Sequence, residues 1–159
     1  MKFLADVADP VTVLGQQVSL MWIVIGAALV VFMQAGFALV ETGFTQAKNA
    51  AHVVSTNFAI FGLGFIGFYL VGFSFSFGGF SYSAFGMDAP VGSALIGSGD
   101  WIFFWKGGWA LTGDAITPAA IGFFLYMVAF MDTVATIPTG SMAERWKWSS
   151  FVVWGFFCG

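Results

Sequence analysis

Charge is what this sequence has least of. Asp, Glu, Lys and Arg make up only 8% of its 159 residues, too few to clothe a soluble domain of this size. The five Lys and Arg residues form no basic patch that could hold phosphate, so a nucleic-acid role is excluded. A pI of 4.7 reflects scarcity of charge and says little about partners. One cysteine, Cys158, rules out an intrachain disulfide and a CxxC metal site. The lone histidine, His52, has no Cys, Asp or Glu at ligand spacing, which argues against a metal centre. No Ser-His-Asp, Cys-His or phosphate-cradling glycine pattern is present, so neither catalysis nor a cofactor is expected. The opening MKFLADVADP carries Asp6 and Asp9 and lacks a long apolar core, which does not fit a cleavable signal peptide. Insertion is left to the first helix.

What the chain has is apolar length. It is 59% hydrophobic with 21 Phe and a mean hydropathy of +0.91, the composition of an integral membrane protein. A helix rises ~1.5 Å per residue and the hydrocarbon core is ~30 Å thick. On that measure, residues 18–40, 53–77 and 118–142 each read as a spanning helix, and a fourth apolar run starts at Ser149. The fold expected is an all-α polytopic bundle. Small residues such as Gly26, Ala27, Ala28, Ala35 and Gly36 in the first span, and Gly62, Gly64, Gly67 and Gly72 in the second, let other helices approach closely. Gln34 is the only strongly polar side chain of the first span, and Asn57 in the second needs a partner from another helix.

Residues 41–52 form a polar break, and residues 78–114 a long loop too rich in Gly and Ser to span. Trp101, Trp105 and Trp109 with Phe103 and Phe104 suggest a piece of that loop lying at the membrane interface, with Lys106 in water. Lys48, Arg145 and Lys147 fall on one side, and Lys2 and Lys106 with Asp6, Asp9, Asp88, Asp100 and Asp114 on the other. The positive-inside rule then places the N-terminus outside.

The third span carries the chemistry. Tyr126 and Phe130 are four residues apart, so a helix puts them on one face, one turn apart. Asp132 follows roughly 200° further round at ~100° per residue, off that face and in need of its own partner. Pro138 removes a backbone donor and should kink the lower half of the span. Glu144, Arg145 and Lys147, interleaved with Trp146 and Trp148, take the chain out of the bilayer. Glu144 and Arg145 read as a local pair, and Lys48 and Asn49 as a helix-start anchor.

Two junctions are specific. The stretch ETGFTQAKNA (41–50) between the first spans, and Ala143-Glu144-Arg145 closing the third, resemble the ammonium transporter family, which includes the Rh proteins. A second span ending GFSFSFG (72–78) and the long loop after it fall in the same order. The resemblance implies about eleven spans around a narrow pore, assembly as a homotrimer in the cell membrane, and an N-terminus outside. On that basis the chain would be the N-terminal portion of such a domain, with the family's pore histidines beyond Gly159.

Counting back from Ala143-Glu144-Arg145, Phe130 falls at one of the family's two stacked gate phenylalanines, and Tyr126 at an aromatic lining the outer vestibule. The substrates implied are ammonium and its surrogate methylammonium. Aromatic faces attract a desolvating cation by ~1–2 kcal/mol and can also shut out water. Against this, aromatics in so Phe-rich a chain also serve as lipid-facing or core filler. Gln46 stands where many members have Arg, and Asp132 where many have a small residue. Asp132 would either bond neighbouring groups at a helix contact or pair with a polar group or cation near the pathway. The resemblance also admits a cytoplasmic regulator of the PII class docking near Lys48 and Asn49. An ammonium-sensing domain of a signalling protein is the alternative function, distinguished by a kinase-like or cyclase-like extension.

Overall fold

The computed structural model describes residues 9–99 and 101–159, with the side chain of Asp114 left out. Lys2, Asp6 and Asp100, used above for orientation, lie outside the described residues.

Helix α1 runs over Pro10–Phe44, 35 residues, well beyond the 18–40 read from hydropathy. The early start has a local cause. The Asp9 side chain accepts from the Val11 N–H at 3.2 Å and Pro10 occupies the first turn, where its missing N–H costs nothing. At the other end the helix outlasts its apolar run by a turn and carries Glu41 within it.

After a short 3-10 turn at Ala47–Asn49, α2 covers Ala50–Gly67. It continues through a π-helical segment, Phe68–Gly72, into α3, Phe73–Phe77. Together these form one rod of membrane length. The π segment lies where the rod meets the last helix, α5, Trp148–Cys158. A Cβ at Gly67 would strike the Phe156 carbonyl, and one at Gly72 the Gly159 carbonyl. Gly67 and Gly72 are therefore part of the surface on which the last segment rests.

Helix α4 spans Pro118–Ser141, opened by Thr117, whose side chain accepts from the Ala120 N–H at 3.1 Å. The helix continues through Pro138 and ends three residues later, so the proline sits in the final turn. Leu20 covers Gly122, and Tyr126 lies over Gly26, so α1 and α4 pack through small residues along their length.

An all-α bundle is found, with one addition. The long loop between the second and third spans holds a two-stranded antiparallel sheet, β1 Ser93–Ser98 and β2 Trp101–Lys106. The loop piece expected to lie at the interface is thus a hairpin. It is seated on the end of the second rod, because Phe75 meets Phe104 at 5.6 Å and Trp109 at 5.0 Å. Trp105 lies so close over Gly79 that any side chain there would occupy the space of its indole. Below the hairpin, Phe68, Phe73, Phe123 and Phe124 form an aromatic core with Phe85 and Met87. A second core joins Ile60, Ala135 and Phe151 nearer the opposite end.

Candidate functional site

The third span presents two faces with different chemistry. On one, Tyr126 and Phe130 come together as their spacing requires, ring centroids 4.9 Å apart and planes inclined by 59°. Tyr126 is half-buried against Gly26 of α1, whose missing Cβ leaves room for the ring. Phe130 is 40% exposed. The pair is an open aromatic step on the flank of α4.

Asp132 goes to the other face. It is 2% exposed, and its Oδ1 has no hydrogen-bond partner. It lines up with Ala135, Thr136 and Thr139, all buried, in a stripe that looks into α1 and α2. The structure therefore separates Asp132 from the aromatic pair.

Below Asp132 the stripe meets a junction that the sequence did not disclose. Glu41 of α1 is 8% exposed and Asn57 of α2 only 1%. The Asn57 Nδ2 donates to Glu41 Oε2 at 2.7 Å and to the Val53 carbonyl at 3.0 Å. Thr139 of α4 reaches Glu41 Oε1 at 2.9 Å. Gln34 closes the circuit, donating to the Asn57 carbonyl at 2.8 Å and accepting from Thr136 at 2.9 Å. The partner that Asn57 requires is thus Glu41, placed by sequence in the polar break. Gln34 and Glu41 are seven residues apart, two turns on one helical face, but that spacing becomes visible only once α1 is known to continue past Val40.

At the turn after α4, Glu144 accepts from the Gln46 N–H at 3.1 Å and from Asn49 Nδ2 at 2.8 Å. The expected local pair with Arg145 is replaced by this bridge: among the described residues no side-chain hydrogen bond joins the two. Glu144 sits at φ 67°, which turns its side chain across to the 46–49 segment. The Asn49 amide, the Gln46 N–H and the nearby charges of Lys48 and Arg145 hold its carboxyl below the usual carboxylate range. Lys48 is exposed. His52 meets the Trp148 ring at 6.2 Å.

A crevice of about 540 Å³ opens between α1 and α2, lined by Ala27, Ala28, Val31, Phe58 and Phe61, with Gln34 and Asn57 as its polar members. Tyr126 and Phe130 are not part of it.

Among the described residues, three helices are long and apolar enough to cross a membrane, Pro10–Phe44, Ala47–Phe77 and Pro118–Ser141, and Gln34, Glu41, Asn57, Thr136 and Thr139 are bonded to one another between them. That defines a multi-pass helical membrane protein. The profile of the Ammonium Transporter Family matches residues 21–159, and the chain belongs to that family. It is 35% identical to ammonium transporter Amt2 of Archaeoglobus fulgidus over 86% of this chain and 25% of that protein. Identity to ammonium transporter Amt1 of Haloferax mediterranei is 34%, over 91% of this chain and 24% of the relative. To ammonium transporter 1 member 3 of Solanum lycopersicum it is 32%, over 88% and 26%. The chain thus spans about a quarter of the length of the curated relatives it matches. No solved structure matches it at a significant level.

Proposed function

We propose that this chain supplies the first spans of an ammonium channel or transporter, with its N-terminus outside, and that Tyr126 and Phe130 form part of the outer aromatic vestibule and gate. The observation that carries the reading is the tilted ring pair itself, with centroids 4.9 Å apart on an exposed flank of α4 in a chain of this family. Ammonium must shed water to enter a membrane, and ring faces attract it without the tight grip of a carboxylate. A neutral ammonia molecule could then cross an apolar passage closed to the ion, because an unpaired charge in hydrocarbon is costly. On this reading the exposed side of Phe130 faces helices of the complete pore. The protein works as a homotrimer, and a cytoplasmic regulator of the PII class docks at the inner turns near Lys48 and Asn49. Asp132, turned away from the ring pair, serves the helix contact.

The test is methylammonium uptake by the full-length protein. Phe130→Ala should lower uptake or selectivity several-fold, and Tyr126→Ala should weaken substrate entry. Wild-type uptake and selectivity in Phe130→Ala would leave the ring as packing only.

A further inference from the structure

The junction of Glu41, Asn57 and Thr139 has a charge and too few hydrogens. Glu41 is 8% exposed inside a spanning helix, and its hydrogen bonds come from two neutral side chains, Asn57 and Thr139. Neutral donors soften a buried negative charge but do not balance it, and an unbalanced ion in a membrane interior is expensive. The Thr139 hydroxyl owns one hydrogen. It nevertheless lies within bonding distance of three oxygens, the Thr136 carbonyl at 2.6 Å and the two Glu41 carboxylate oxygens at 2.9 and 3.1 Å.

Asn57 adds a further acceptor. Its Oδ1 is buried with no partner, although the residue is 1% exposed. Turning the amide over gives no relief, because Nδ2 already serves Glu41 Oε2 and the Val53 carbonyl. About two turns from Thr139 on the same stripe of α4, Asp132 Oδ1 is likewise unpartnered. Orphaned buried acceptors are rare and call for a donor.

Gln34 and Asn57 also border the largely apolar crevice of about 540 Å³, which Glu41 and Thr139 do not line, so the junction lies beside it. On the opposite side the carboxylate is wedged in place, since a Cβ at Gly140 would come within 2.9 Å of Glu41 Oε1. A fixed carboxylate, a buried amide oxygen without a partner and an excess of acceptors over hydrogens are what a small positive ligand would satisfy.

We propose that this junction is a cation site separate from the Tyr126–Phe130 pair, taking a small monovalent cation, either ammonium through its N–H groups or Na⁺ through oxygen coordination, with Glu41 as the charge and Asn57 Oδ1 as the open acceptor. The site rests on the membrane placement of α1, α2 and α4 and stands apart from the vestibule reading. Its readout is a carboxylate vibration and not flux, so the two proposals fail independently.

The experiment uses the purified full-length protein in nanodiscs at constant ionic strength, with N-methyl-D-glucamine chloride exchanged for ammonium chloride or NaCl. Infrared difference spectra should show a saturable shift of a Glu carboxylate band, accompanied by a rise of about 2–4 °C in Tm. Glu41→Gln should abolish both. A response to ammonium alone identifies an N–H donor as the ligand, and an equal response to Na⁺ identifies an alkali cation. Asn57→Ser, which keeps the carboxylate and removes the open acceptor, should weaken the apparent affinity at least tenfold, and it remains informative should Glu41→Gln fail to fold. Absence of a band shift with either cation, a wild-type response in Glu41→Gln, or unchanged affinity in Asn57→Ser would each overturn the site.

Discussion

Glu144 occupies a backbone conformation usually left to glycine, φ 67°, and keeps it because its carboxylate reaches Gln46 and Asn49 across the inner face. Two substitutions separate the backbone from the side chain. Glu144→Gly relieves the strain and loses the bridge, while Glu144→Ala retains the strain and loses the bridge, so the alanine variant should be the less stable of the two in thermal unfolding. The bridge also has a pH signature. A carboxyl held below its ordinary value of 4.5 contributes stability above that value and loses it as pH falls through the depressed one. The protection factor of the Gln46 amide should therefore hold at pH 5 and fall only in stronger acid. A second local prediction concerns Gly140. Because a methyl there would press on Glu41 Oε1 at 2.9 Å, Gly140→Ala should destabilise the protein by ~1–3 kcal/mol, read as a lowered Tm in detergent.

At the scale of helices, the α2–α5 crossing depends on where glycines fall rather than on how many there are. Gly67→Ala places a methyl against the Phe156 carbonyl, backbone that cannot swing aside, and should cost ~1–3 kcal/mol or displace α5. Gly62→Ala meets nothing within 4 Å and should be neutral or stabilising by up to ~1 kcal/mol through helix propensity. Equal effects in the two variants would refute the crossing. The second and third spans were legible because their apolar runs end at sharp polar or glycine signals: α4 at Pro118–Ser141 lies within a residue of its expected bounds. The first was underestimated because hydropathy ignores capping. Asp9 and Pro10 start the helix in a mixed stretch, and Glu41 is carried inside because its partners sit on other helices. The hairpin was missed for a related reason. Its Gly and Ser content reads as loop, while the β-prone run WIFFWK after Gly99 carries the strand.

For the molecule as a whole, the sequence made the membrane bundle and the family legible, since both rest on long runs and ordered junctions. The neighbourhood of Tyr126 and Phe130 followed from a four-residue spacing on one helix and needed no tertiary knowledge. The Gln34–Glu41–Asn57–Thr136–Thr139 circuit could not be read that way. It is assembled from three helices, and although Gln34 and Asn57 stand out within their spans, nothing in the sequence ties them to Glu41, Thr136 and Thr139.

Helix α1 adds a mechanical consequence. At ~1.5 Å per residue its 35 residues extend to about 52 Å, far more than the ~30 Å hydrocarbon slab. Near its N-terminal end Gln16 Nε2 donates to the Ser83 carbonyl at 3.0 Å, so the rod is moored to the segment that leads into the hairpin. A thinner bilayer tilts such a rod further and a thicker one lets it stand upright, and the mooring passes that lean to the aromatic canopy above. Spin labels on the hairpin and on the lower half of α4 should report a changed separation when 14-carbon lipid chains are replaced by 20-carbon ones, and Gln16→Ala should uncouple the two. Lipid thickness then becomes a lever on the hairpin end of the protein.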